Sequence, residues 1–142
     1  MFRFFKLGKN KEFKSKRITS IFASTDLIDV EFYKILNSKM QTLYVGQTIQ
    51  GIGKRYDQHK IDPKKLEWSN KMKGVFEIDI NDIPGPYKMT PYEAAVTELY
   101  EINKNGGMMK EKGKLYNKQK PIGKKKFEQF KKLGFNPCKF YV

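Results

Sequence analysis

Two alternating apolar runs, residues 29–37 and 41–48, meet at the turn-prone cluster Asn37-Ser38-Lys39 and constrain the architecture more than any other feature of the chain. Both runs are rich in aromatic and β-branched residues, which suit a pleated, half-buried surface. The cluster between them favours a tight reversal. An antiparallel hairpin is therefore expected, with Tyr33 and Tyr44 on its two strands. Gly74-Val75-Phe76-Glu77-Ile78-Asp79-Ile80 alternates apolar and acidic residues and predicts a third strand over 74–80. Asn81–Pro86 then reads as loop.

Helices are expected around these strands. Gly51-Ile52-Gly53 opens one that runs through Arg55 and His59 and stops at Asp62-Pro63, since the residue before proline disfavours helical backbone. Four residues apart, Arg55 and His59 share a helix face. The glycine pair lacks the third glycine of a dinucleotide fingerprint and the ending of a P-loop, so it reads as a turn. Thr90-Pro91-Tyr92-Glu93 supplies an N-cap, a first-position proline and a glutamate three residues on. That helix extends to about Lys104 and ends at Asn105-Gly106-Gly107. It carries Glu93, Glu98 and Glu101, and spacing leaves open which of them turns inward. A further helix is expected from Lys124 to about Leu133, and a last edge strand over 139–142. The fold class is α+β: a small three-stranded antiparallel sheet flanked by helices.

With 142 residues the chain can bury one core, which places a single domain at 26–142 after a basic N-terminal extension at 1–25. The extension is too short to be a convincing DNA-recognition module. Lys and Arg number 29 against 15 acidic residues, a net charge of +14 that favours a polyanionic partner. Basic residues crowd both ends of the chain. Lys34, Lys54, Lys118 and Lys120 are the candidate phosphate contacts. Cys138 is the only cysteine, which excludes an intrachain disulfide and a cysteine-rich zinc site. No apolar run reaches membrane-spanning length, and Met1-Phe2-Arg3-Phe4-Phe5 is too short for a signal-peptide core, so neither anchor nor signal peptide is expected.

Taken singly, the polar residues have ordinary explanations. Tyrosines pack in hairpins, while arginine, histidine and glutamate decorate helix surfaces. Together they could act on one phosphate: tyrosine and histidine can hold or relay a proton, and arginine pairs with phosphate oxygens.

In their order along the chain these residues resemble the GIY-YIG nuclease superfamily. Tyr33 matches the first motif's tyrosine, Tyr44-Val45-Gly46 the second motif, and Arg55 the helical arginine. His59 falls where many members place a histidine or tyrosine one turn later. Glu98 with Ile102 resembles the metal-binding glutamate and its apolar companion, and Asn117 the closing asparagine. Glu31-Phe32 departs from the usual glycine and isoleucine. The resemblance covers about residues 29–123. It implies an endonuclease hydrolysing phosphodiester bonds of DNA or RNA with one Mg²⁺ or Mn²⁺ on Glu98. Arg55 would offset charge on the phosphate, Tyr33 would take a proton directly or through Tyr44 or His59, and Asn117 would orient the phosphate or brace the site. Tyrosine's ordinary pKa near ~10 makes it a poor base at neutrality unless the metal, Arg55 or a nearby lysine, Lys54 or Lys34, lowers it.

The stretch from Glu98 to Leu115-Tyr116-Asn117-Lys118-Gln119-Lys120-Pro121-Ile122-Gly123 looks most like the nuclease tips of bacterial polymorphic toxins. That implies action in the cytoplasm after delivery by a secreted toxin system, and an acidic immunity protein as partner. A mobile-element or repair endonuclease and a non-catalytic nucleic-acid-binding module are the alternatives. No small-molecule cofactor is expected.

Overall fold

The computed structural model describes residues 20–135, so most of the basic extension and the strand expected at 139–142 lie outside the described residues. The hairpin forms as strands β1 (Ile28–Leu36) and β2 (Thr42–Thr48), antiparallel, with Tyr33 opposite Gly46 and Ile35 opposite Tyr44. Asn37 closes it. Its side-chain oxygen accepts from the backbone N–H groups of Lys39 at 2.9 Å and Gln41 at 3.0 Å, the local bonding that makes asparagine a turn former. Strand β3 (Gly74–Ile78) pairs with the second half of β1 and is shorter than its pattern predicts, because Asn81 and Asp82 turn the chain with φ of 52° and 62°. A fourth strand, β4 (Tyr87–Met89), pairs with Ile28–Val30. Its three residues are too few to show a period. The sheet order is β2-β1-β3, with β4 on the leading part of β1.

Helix α1 (Ile52–Ile61) follows Gly51, whose φ of 101° suits a residue without Cβ. A 3₁₀ turn at Pro63–Lys65 leads into the short helix α2 (Leu66–Ser69). In α3 (Pro91–Lys104) the Thr90 hydroxyl accepts from the Glu93 N–H at 3.2 Å, as the capping pattern predicts. Helix α4 (Lys124–Lys132) completes the described elements.

Because side chains alternate along a strand, β1 presents different residues to its two sides. Tyr33 and Ile35 cluster with Trp68 of α2, and Ile52 and Tyr56 of α1 pack against them. Val30 and Phe32 meet Ala94 of α3, and Val45 of β2 meets Ile102. The central strand is thus covered on both faces. Helix α4 docks Phe130 beside Tyr92 and Ala95. Phe22, from the 3₁₀ turn Ile21–Ala23, joins them with its ring 6.2 Å from that of Phe130, so this part of the expected extension packs on the domain.

Candidate active site

Register places Tyr33 across from Gly46, and the phenol lies over it. A Cβ added at Gly46 would meet the Tyr33 hydroxyl oxygen at 2.5 Å, its Cζ at 2.7 Å and Cε1 of Tyr44 at 2.9 Å, so the close approach requires glycine. Tyr44 lies on the same face, with ring centroids 6.4 Å apart, and stacks on Trp68 at 5.2 Å with 13° between planes. Helix α1 then delivers His59 into the aromatic cluster, fully buried, with Nε2 2.8 Å from the Tyr33 hydroxyl and the ring edge-on to Tyr44 at 4.7 Å. One turn earlier, the Arg55 guanidinium acts electrostatically on the Tyr33 phenol, and its Nη1 donates to Gln58 at 3.0 Å.

Glu98 enters from α3. Gln47 of β2 donates to its Oε1 at 2.7 Å, and the same amide lies 3.4 Å from the Ala94 carbonyl. Its charge acts on both Tyr33 and Tyr44, and Arg55 acts on it in turn. The other two carboxylates of the helix, Glu93 and Glu101, are each 3 % exposed, and Glu101 acts on Tyr87 instead. The choice that spacing left open therefore falls on Glu98.

Burial is the largest influence on the ionisation of Tyr33, Tyr44, His59 and Glu98. It pushes the Tyr33 phenol well above its ordinary range, with Tyr44 and Glu98 adding to the rise and Arg55 opposing it. Tyr44 is pushed up to about 12 by burial and by Glu98. Burial, then Lys65, then Arg55 hold His59 down to about 3, so the ring is neutral throughout the physiological range. Glu98 is raised to about 7 by burial, against the opposing effects of Gln47 and Arg55. Of the cations expected to bring the phenol down, Arg55 pulls that way, and in the protein without a divalent ion burial outweighs it.

Asn117 does not reach into this cluster. Only 4 % exposed, it accepts from the Val45 N–H at 3.1 Å and donates to the Val45 carbonyl at 2.7 Å, while the Tyr116 N–H bonds the Leu43 carbonyl at 2.8 Å. The segment lies along the outer edge of β2 as a substitute strand, which seals that edge and braces the residues either side of Val45. Of its two expected roles, the geometry is that of the brace.

The four candidate lysines scatter. Lys34 alternates onto the face opposite Tyr33, and Lys54 is exposed on α1, so the cation acting directly on Tyr33 is Arg55 rather than either lysine. Lys118 sits 3.6 Å from Glu67, beside a cavity of about 330 Å³ that it lines with Tyr44, Lys65, Trp68 and Tyr116. Lys120 pairs with Glu111 at 2.8 Å on the surface.

Three residues join the site without having stood out in the sequence: Gln47, Trp68 and Lys65. Lys65 is the most consequential, its Nζ 2.7 Å from Nδ1 of His59 and 5.3 Å above the Tyr44 ring. A lysine in a lysine-rich loop gives no signal of its own. Gln47 follows Gly46 directly, and only its contact with α3 reveals its use.

Among the described residues no three His, Cys, Asp or Glu side chains gather. A divalent cation here would hold one protein carboxylate, Glu98, and complete its shell with water and phosphate oxygens, as Mg²⁺ commonly does. The donor set fits that ion: Oε1 is occupied by Gln47, and the second oxygen has no hydrogen bond among the described residues. A cation would also cancel the negative charge that raises both phenols. Among the described residues no helix is long and apolar enough to cross a membrane. No family model, curated protein or solved structure matches this chain.

Proposed function

We propose that the protein is a metal-dependent endonuclease of the GIY-YIG type, hydrolysing phosphodiester bonds of DNA or RNA. The observation that carries this reading is the convergence of Tyr33, Tyr44, Arg55 and His59 on one buried cluster, with Glu98 close enough to act on both phenols. Arg55 binds a phosphate oxygen and offsets the charge that builds on phosphorus during attack. Tyr33, as phenolate, takes the proton of the attacking water. Tyr44 and Trp68 keep bulk water from the far side of the Tyr33 ring. Glu98 would hold a Mg²⁺ or Mn²⁺ ion, which would supply Lewis-acid polarisation of the phosphate and lower the pKa of nearby acids. The net charge of +14 favours attraction of the polyanionic substrate.

The likeness of residues 98–123 to polymorphic-toxin tips supports a toxin-type nuclease, released into the cytoplasm of a target cell and restrained by an acidic immunity protein. The decisive experiment incubates the full chain with plasmid, single-stranded DNA, tRNA and ribosomal RNA, in Mg²⁺ or EDTA, beside Glu98→Ala and Arg55→Ala. Cleavage of at least one substrate, lost in EDTA and in both variants, is the expected result. Intact substrates throughout, or equal cleavage in EDTA, overturn the reading.

A further inference from the structure

His59 is the only histidine in the chain, and both of its ring nitrogens are engaged: Nε2 with the Tyr33 hydroxyl at 2.8 Å and Nδ1 with Nζ of Lys65 at 2.7 Å. A neutral imidazole has one nitrogen that donates and one that accepts, whereas an ammonium group only donates. Burial, and after it Arg55, bring the Lys65 pKa below the ordinary lysine value. The ammonium form is favoured by Asp62, whose Oδ2 lies 3.7 Å away, and by the face of Tyr44 beneath it. The ionisable groups facing the imidazole are Tyr33 from β1, Tyr44 from β2, Arg55 from α1, and Asp62 and Lys65 from the turn that follows. Trp68 of α2 closes the cluster with an uncharged ring at 5.7 Å. A cation on Nδ1 leaves only one arrangement of the ring proton.

We propose that Lys65 is a positioning residue that fixes His59 in its Nε2–H tautomer, making the imidazole a hydrogen-bond donor to the Tyr33 oxygen and removing it as a proton acceptor. The assignment of the tautomer stands on the bonding alone; its consequence for cleavage rests on the nuclease reading above. With His59 donating to the Tyr33 oxygen, the phenol's own proton points away from the imidazole. When that proton leaves, the His59 donor already holds the phenolate, with the positive charge of Arg55 acting on it as well. During hydrolysis an O–H bond of water breaks as its oxygen bonds phosphorus, and the proton goes to the Tyr33 oxygen. The phosphorus bond to the leaving oxygen breaks, and that oxygen takes a proton from solvent. Tyr33 later returns its proton to solvent, and His59 keeps its own throughout. The relay through His59 that the residue types allow is closed by the lysine behind it.

Long-range proton–nitrogen NMR of the full chain, without nucleic acid or divalent ion, reads the tautomer of this single histidine directly. The expected spectrum shows one ring in the Nε2–H form, unchanged between pH 8 and pH 5. Lys65→Arg keeps a donor at Nδ1 and retains that pattern, while Lys65→Met shifts the ring toward a mixture containing Nδ1–H. An Nδ1–H or doubly protonated ring in the unaltered chain overturns the proposal, and so does an unchanged pattern in folded Lys65→Met. In cleavage assays Lys65→Met lowers kcat by roughly 10- to 100-fold, the usual cost of losing a group that orients an active residue, with KM little changed. A chain with the expected tautomer that cleaves nothing would refute the nuclease reading and leave the lock intact. Cleavage by a chain with the opposite tautomer would do the reverse.

Discussion

Strand β2 is gripped by two polar side chains from distant parts of the chain, and their surroundings differ sharply. At its outer edge Asn117 spends its amide on one residue, accepting from the Val45 N–H and donating to the Val45 carbonyl. On the α3 side Glu98 gives one oxygen to Gln47, and burial raises its pKa to about 7. The first is a completed bonding arrangement, the second an incomplete one. A buried polar group whose donors and acceptors are already matched stabilises the fold and has nothing left for a ligand. A carboxylate pressed by burial and left with a free oxygen gains most when a cation arrives. Both residues carry the sequence resemblance, yet only Glu98 acts on Tyr33.

The sharpest way to break this contrast is to remove each residue in turn. Glu98→Ala and Arg55→Ala should each lower cleavage by roughly 10³-fold or more at an unchanged or slightly raised melting temperature, checked by initial rates and thermal unfolding. Asn117→Ala should do the opposite. It strands a buried N–H and C=O of Val45 and should cost about 2 to 4 kcal/mol in denaturant unfolding, while the folded fraction keeps most of its activity. Should Asn117→Ala prove fully stable yet inactive, the brace becomes a phosphate ligand and the contrast disappears.

Gly46→Ala tests the ground between the two. The added methyl collides with both tyrosines, so a loss of roughly 1 to 3 kcal/mol should accompany a fall in cleavage, read from the same two assays.

Acidity sharpens the comparison from the Glu98 side. Without a divalent ion this carboxyl ionises near 7 in the folded chain against an ordinary 4.5, so between those values the folded state binds more protons than the unfolded one. Its contribution to stability is therefore full below about pH 4.5 and is lost as the pH rises through 7, amounting to about 1 to 3 kcal/mol. Glu98→Gln should flatten that part of the stability profile. Mg²⁺ should restore stability at pH 8 in the unaltered chain and not in the variant, as chemical unfolding at a series of pH values would record.

The lysines give the smallest effects. Lys118→Ala should weaken nucleic-acid binding several-fold and reduce its salt dependence, because Lys118 stands at the cavity beside Tyr44. Lys120→Ala, already paired with Glu111 on the surface, should change binding less and stability by under about 1 kcal/mol. Titrations at two salt concentrations separate them.

The hairpin was legible in the sequence because a period of two and the turn chemistry of Asn37 are local signals, and the start of α3 because Thr90-Pro91 caps a helix within one turn. Strand β4 and helix α2 were not, since three or four residues carry no period and exist only through what they pack against. Within the site, Tyr33, Tyr44, Arg55 and His59 could be picked out because a hairpin and one helix turn bring them together over a short span. Lys65 could not, because its role depends on where a 3₁₀ turn carries an otherwise ordinary lysine.

From residue order alone came the α+β class, the hairpin that pairs Tyr33 with the Tyr44 strand, and the helix face shared by Arg55 and His59. These are short-range consequences of side-chain alternation, capping and turn preference. Spacing left three glutamates open and the family resemblance pointed to Glu98; only tertiary structure put it where its charge acts on both phenols, laid Asn117 along the β2 edge, and set Lys65 behind His59. Those outcomes depend on how helices dock against a twisted sheet, where burial and the matching of donors to acceptors act between groups far apart in the chain.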